Sequence, residues 1–418
     1  MKKAYYFFLN NSIYIFLLIV FLLVSCVPVT QKTVVSKSPV IRILLNEINQ
    51  KDSISFVGNY KLISEEAEYE FGSQNSKIYI VPASTSLLIY NDFRYLEYQK
   101  TKKIRLQSST EKSQFKYNNR SYYGDIAFVQ TKDSTAQIIN ELPLEDYLRG
   151  VVPAEIYTTD LKNFEAVKAQ AICARTYAIN KMNLRQNESF DVYYDTRDQV
   201  YKGSGIYNMN SDNAIMDTRG ITLTYQNEPA VVFYHSTCGG ELEPVQYVFG
   251  DTPIGYLGGG MDAVSDVISC SASPKFRWEV TRTLEQLDSS FQKLYGNILI
   301  PQTDKIKDTT NVNLDISILN RTETGRVKDL KITTADTSLI LNNIQIRRLL
   351  GEPAGRALYS TLFYLSQEND STITIHGGGF GHGVGMCQWG AMNMSKRGFK
   401  YYHILNKYFP GTLLTKGY

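Results

Sequence analysis

Apolar and polar residues alternate in short runs from Ile41 to Thr131: IRILL, SISFVG, KIYIV, SLLIY, KIRLQ and DIAFVQ, parted by Ser, Asn, Gly and Lys turns. A period of two puts every second side chain on one face of a pleated strand, so residues 41–135 are predicted to be a β-rich region. A second alternating stretch between Trp278 and Leu365, with LDISIL and VKDLKITT and the turns TETG and LGEPAG, predicts a β-rich inserted segment over 278–365. Between the two lies a run of helical period, Phe164 to about Leu184, with cap candidates Thr159, Asp160 and Asn163 and with Glu165 in its first turn. Its apolar stripe, Phe164, Val167, Ala171, Ala174 and Ala178, is small enough for another backbone to approach. Lys168 and Arg175 share an adjacent row, about 10 Å apart along the axis. Two more helices are predicted, Met386 to Lys396 before Gly398 and Tyr401 to Phe409 before a Pro-Gly stop. The pattern reads as an α+β protein, its second region spanning 136–418: a central alanine-rich helix, the inserted segment, and a glycine-rich loop with helices at the C-terminus. The chain has neither an internal repeat nor a low-complexity tract, which argues against a solenoid or propeller.

The amino terminus changes the compartment. Lys2 and Lys3 precede an unbroken apolar run from Ile13 to Val24, too short to span a membrane comfortably, which reads as a signal peptide over 1–25. Leu23-Val24-Ser25-Cys26 resembles the lipobox of bacterial lipoproteins, so Cys26 is the expected lipidation site and 26–40 a tether. The mature chain is then exported and membrane-anchored, facing periplasm or cell wall, where disulfides are permitted. A net charge of +3 is too small to call for nucleic acid. The 30 tyrosines against 2 tryptophans suit strand faces and sugar-stacking surfaces alike.

Within LPLEDYLRGVVPAEI (Leu142 to Ile156), Glu155 follows Pro153 and Ala154 among Val151, Val152 and Ile156. Apolar surroundings raise a carboxyl pKa and suit a general acid, whereas Glu145 and Asp146 read as a solvated turn and helix-start pair. FYHSTCGGEL places His235 at a strand end. His235, Cys238 and Cys270 allow a zinc reading, and Cys238 with Cys270 equally allows a disulfide; spacing leaves both open. Cys173 belongs to the helix's apolar side. The segment GGGFGHGVGMCQWGA (Gly377 to Ala391) fails as a phosphate cradle, having no GxGxxG and no following Gly-Lys-Ser/Thr. Its glycines allow the backbone to come close to a ligand or to another strand. His376 and His382 lack a nearby carboxylate, so His382 is assigned a hydrogen-bonding role, and Trp389 either stacks on a sugar or anchors the next helix.

Taken in order, LPLEDYLRGVVPAEI, EAVKAQAICARTYA, DQVYKG, FYHSTCGGEL, SPKFRW and the glycine-rich segment with its following helices resemble the stage II sporulation protein D family (SpoIID/LytB), peptidoglycan lytic transglycosylases. The resemblance implies that Glu155 is the catalytic acid. It further implies cleavage of the bond between N-acetylmuramic acid and N-acetylglucosamine by the sugar's own C6 hydroxyl, leaving a 1,6-anhydro end. One carboxyl can then act first as acid and afterwards as base, and Asp195 and Asp198 are the remaining candidates for a second. By motif it assigns substrate contacts to Lys168, Gln170, Arg175, Tyr201, Lys202, His235, His382 and Gln388. Some family members are described as amidase enhancers, which makes a wall-binding lipoprotein that stimulates an amidase the alternative. Some place a zinc near the histidine-cysteine segment; only Cys238 stands in that turn here, so no cofactor is expected.

Overall fold

The computed structural model describes residues 37–418, apart from 64–67, 72–76, 85, 92–94, 100–103, 132–133, 251, 300–313, 335–337, 353–354 and 370. The expected signal peptide, Cys26 and most of the tether lie outside the described residues. Ser38–Gly417 form a single folded unit.

The N-terminal alternation builds two sheets. One has seven strands in the order Val192–Tyr193, Val40–Ile48, Ala136–Pro143, Asp125–Gln130, Ile104–Ser108, Tyr60–Ile63 and Glu68–Phe71. The other runs Arg120–Tyr123, Gln114–Tyr117, Asp52–Val57, Lys77–Pro82, Ser86–Tyr90 and Tyr95–Gln99. Val40–Ile48 pairs antiparallel with Ala136–Pro143, with a register shift between Leu44 and Asn46. The extra residue interrupts the period of two, so Leu44 and Leu45 are both buried, and Leu44 joins Ala127, Ile139 and Phe190 in a small cluster.

Strand Ala136–Pro143 runs directly into helix α1, Leu144–Glu155. Leu144, Tyr147, Leu148, Val151 and Val152 repeat at three and four and are all fully buried. That stripe holds the segment helical despite Gly150, Val151, Val152 and Pro153, which are poor helix formers. Helix α2 is Phe164–Leu184, as the periodicity predicts, and α3 is Met209–Asp217. The alanines of α2 are buried on nearly every side, and α1, α3 and the strand Ile221–Tyr225 pack around it.

Between Trp278 and Gly377 two three-stranded sheets, Trp278–Thr283 with Thr372–Gly377 and Phe363–Asn369, and Asp315–Arg321 with Val327–Thr333 and Ser338–Asn342, share a core centred on Phe291, Leu330, Ile346 and Ile375. This stretch also holds α4, Leu284–Leu299, and α5, Asn343–Leu349, so the segment expected to be β-rich is a mixed one. After the glycine-rich segment, Met386–Cys387 lies parallel to Tyr234–His235. It leads into α6, Gln388–Lys396, and α7, Tyr401–Tyr408, which pack on α2. Leu413–Lys416 then pairs with Ile221–Tyr225. The protein is α+β, and α1, α2, α6 and the Tyr234 strand are the elements that frame its cleft.

Candidate active site

Glu155 is the last residue of α1, and the chain turns extended at Ile156. It lines a cleft of about 350 Å3 with Ile156, Tyr157, Asn163, Ser236, Gln388, Trp389, Met392 and Lys396. Among the described lining residues it is the sole carboxyl. Burial raises its pKa from 4.5 to about 6, against the opposing pull of the Val200 N–H, which donates to Oε1 at 2.8 Å, and of the Lys202 charge. Its position at the negative end of the helix dipole acts in the same direction as burial.

The stretch from Gln199 to Lys202 is fastened along α1. Tyr201 N–H bonds to Tyr194 O at 2.9 Å and Lys202 N–H to Gly150 O at 3.1 Å, which delivers the Val200 N–H to Glu155. Gln199 is buried and ties three elements together: it accepts from Tyr147 Oη in α1 and donates to Ala174 O in α2 and to Tyr234 Oη. Gln199, Val200 and Ser236 carry no mark in the sequence as site residues, and Asn163 is marked only as a cap candidate, because no spacing links them to position 155.

The motif residues divide. Gln388 lines the cleft, and its amide donates to Gln170 Oε1 at 3.3 Å; Gln170 is fully buried and stands behind Gln388. Lys202 is exposed, close enough for its charge to act on Glu155. The structure withdraws the others from the cleft. Arg175 is fully buried and clamps Glu145 through two bonds of 2.8 Å, with Ile215 O and Ile221 O as further acceptors. This also corrects Glu145, which is buried in an ion pair and is not a solvated helix-start residue. Lys168 pairs with Asp217 of α3 at 2.9 Å. Tyr201 is buried, stacks near Tyr147 and donates to Asn140 Oδ1 at 3.0 Å. His235 donates from Nδ1 to Val384 O at 3.1 Å, and His382 donates from Nε2 to Tyr234 O at 3.0 Å while Nδ1 accepts from Val384 N–H. Burial pushes His382 down to about 3 and holds His235 well below its ordinary value, so both rings are neutral and structural.

The glycine-rich segment follows the same logic. A Cβ at Gly385 would sit 2.2 Å from Phe233 O with φ at +71°, and one at Gly381 would meet His235 Cβ at 2.7 Å with φ at +115°. These glycines let the backbone pass close to the 233–238 strand and turn; only the segment's end, Gln388 and Trp389, reaches the cleft. The two spare carboxylates are likewise committed elsewhere. Asp195 pairs with Arg197, and Asp198 accepts from Tyr177, Arg185 and Tyr193 N–H and pairs with Lys181. A larger groove of about 820 Å3, lined by Trp278, Arg321, Tyr364 and His376 among others, lies on the mixed segment; its acid, Glu279, is exposed and pairs with His376.

Cys238 and Cys270 are free thiols with sulfurs 3.3 Å apart, and Cys173 is a free thiol buried within α2. Cys387 and Asp262 converge on the same point as Cys238 and Cys270. The four ligand atoms lie within 4.8 Å of one another and all four residues are fully buried. His235, bonded to Val384, is not among them. The donor set of three sulfurs and one carboxylate suits zinc.

The family described as SpoIID, stage II sporulation protein, matches residues 132–225, and a domain of unknown function matches 263–385. An uncharacterized protein of Brachyspira hyodysenteriae is 29% identical over 89% of this chain and 92% of its own length. An amidase enhancer of Bacillus subtilis is 25% identical over 86% of this chain, which spans 54% of that relative. The stage II sporulation protein D of Bacillus amyloliquefaciens is 31% identical over 65% of this chain and 74% of its own length. The matched region carries α1, α2 and the Val200 stretch, the parts that present Glu155, and on this likeness the chain belongs to the stage II sporulation protein D family.

Proposed function

We propose that the chain is a lytic transglycosylase of peptidoglycan, anchored at a membrane through Cys26 and facing the wall, with Glu155 as its acid and base. The observation that carries this reading is one carboxyl, alone of its kind among the described residues lining its cleft, with its pKa raised to about 6 by burial. The Val200 N–H on Oε1 leaves Oε2 to carry the proton. The acid donates that proton to the oxygen between the two sugars. As carboxylate it then takes the C6 hydroxyl proton while that oxygen closes on C1, so the anhydro ring forms and Glu155 ends protonated again. Lys202 steadies the carboxylate between the two steps, and Gln388 offers its amide to a sugar acetyl group. A hydrolase would need a second carboxyl facing the first, and none of the described lining residues supplies it.

The relative named an amidase enhancer favours a second reading, in which the cleft holds wall glycan and the chain stimulates an amidase. The purified protein incubated with peptidoglycan, both intact and stripped of stem peptides, is expected to release anhydro-ended fragments, and Glu155→Gln to release none. Ordinary reducing ends would convert the assignment to a hydrolase. No release, together with faster amidase turnover, would establish the second reading.

A further inference from the structure

We infer that Cys238, Cys270, Cys387 and Asp262 bind one zinc ion in a closed structural site that fixes two walls of the Glu155 cleft.

The four ligands come from four separate places in the chain: the 236–240 turn, the Gly260–Met261 strand end, the Val267–Ile268 hairpin and the residue before α6. A disulfide would use two of the three thiols. It would leave the third thiol, and the 0% exposed carboxylate Asp262, whose Oδ2 stands 3.1 Å from Cys238 Sγ, directed at the same point with no ion between them. One tetrahedral ion accounts for all four. With metal–sulfur bonds of about 2.3 Å, ligand atoms around zinc stand nearly 4 Å from each other, and here they range from 3.1 Å between Cys238 Sγ and Asp262 Oδ2 to at most 4.8 Å. Oxygen-seeking cations are disfavoured by three sulfurs, and an iron–sulfur cluster wants four. Full burial of every ligand leaves no open position for a substrate or an activated water, so the site is structural.

The surroundings are already arranged for such an ion. Gly240 N–H points to Cys238 Sγ and Cys238 N–H to Cys387 Sγ, both at 3.3 Å. Tyr408 Oη donates to Asp262 Oδ1 at 3.0 Å, and Lys407 Nζ lies 3.5 Å from the same oxygen. Zinc displaces the three thiol protons, and the resulting thiolates with Asp262 outweigh its two positive charges. Lys407 and Arg326 supply positive charge beside it; Arg326 is a fully buried guanidinium that lies 3.6 Å from Glu243, donates to Cys238 O at 2.7 Å and leaves Nη1 without a hydrogen-bond partner.

The ion's position gives it a consequence for the cleft. Cys238 lies two residues beyond Ser236, and Cys387 immediately precedes Gln388 and Trp389; all three neighbours line the cleft. Trp389 N–H bonds to Ser236 O at 3.1 Å, and the ion would lock that contact from behind. The site therefore sets the distance between Gln388 and the α1 wall whatever reaction the cleft performs.

Elemental analysis of the purified full chain is expected to give about one zinc per chain. Replacing that zinc with cobalt(II) is expected to produce the visible and near-ultraviolet bands of a tetrahedral thiolate site. Cys387→Ser should lose the ion. Because that variant could unfold, Tyr408→Phe serves alongside it: it keeps all four ligands and should weaken zinc binding by about 10- to 100-fold in chelator competition. A Cys238–Cys270 disulfide in a non-reduced digest would overturn the inference. So would metal-free protein in which Cys238, Cys270 and Cys387 are all alkylated as free thiols, or Tyr408→Phe binding zinc as tightly as the parent.

Discussion

Replacing Glu155 by Gln removes the charge and keeps the shape. The Gln oxygen can still accept the Val200 N–H, so the substitution isolates the cost of an ionised carboxyl at this position. In the unfolded chain Glu155 titrates near 4.5; in the folded protein burial raises it to about 6. Between these values the native state binds more proton than the unfolded state, so stability falls as pH rises, and above about 6 the full cost is present. At 1.36 kcal/mol per pKa unit that cost is about 2 kcal/mol. Below pH 4.5 both side chains are neutral and the two proteins should be similar in stability. Across pH 4.5 to 7 Glu155→Gln should become the more stable by about 2 kcal/mol, a gain that accompanies loss of the proposed activity. Urea denaturation of both proteins from pH 4 to 8 measures the difference, and every other titrating group cancels between them. A gap that stays constant over this range, or one that closes as pH rises, would refute a raised Glu155.

Three further outcomes are expected. The proposed activity needs protonated Glu155 to start, so release of anhydro ends at subsaturating glycan should fall about tenfold per pH unit above about 6; a flat profile from 6 to 8 would count against Glu155 as the acid. Arg175→Met strands a buried Glu145 and should cost about 3–5 kcal/mol in chemical denaturation, most of it recovered when Glu145→Leu is added; loss of glycan binding without loss of stability would instead return Arg175 to the cleft. Gly385→Ala should abolish folded protein, because its Cβ would meet Phe233 O at 2.2 Å, whereas Gly255→Ala, with nothing within 4 Å, should leave the melting temperature unchanged.

The β-rich beginning and α2 were legible because each has a clean local period. Helix α1 also has one, at Leu144, Tyr147, Leu148, Val151 and Val152, but Gly150 and the Val-Val-Pro run lower its helix propensity and leave its extent unmarked. Glu155 could be singled out by its apolar neighbours, which are also the physical source of its raised pKa. Arg175 could not be told apart from a substrate ligand, since its partner lies 30 residues away on another helix. The glycines allowed close approach to a ligand or to another strand, and it is the strand and turn at Phe233 and His235 that Gly385 and Gly381 meet. Spacing rules also miss the thiol cluster: Cys387 stands 149 residues from Cys238, and Asp262 has no cysteine beside it to mark it.

The parallel pair of Tyr234–His235 with Met386–Cys387 bears on the order in which the molecule is made. Both N-terminal sheets and α1 are complete, apart from the short strand Val192–Tyr193, before residue 156 leaves the ribosome. The facing wall belongs to residues 388–396, and its partner strand must wait through the whole mixed segment before pairing. Closing so long a loop is slow, because its entropy is lost before any contact compensates for it. A chain emerging N-terminus first thus presents Glu155 with Asn163 and Ser236 before Gln388, Trp389, Met392 and Lys396 exist to face them, and the cleft is complete only with the last stretch of the chain.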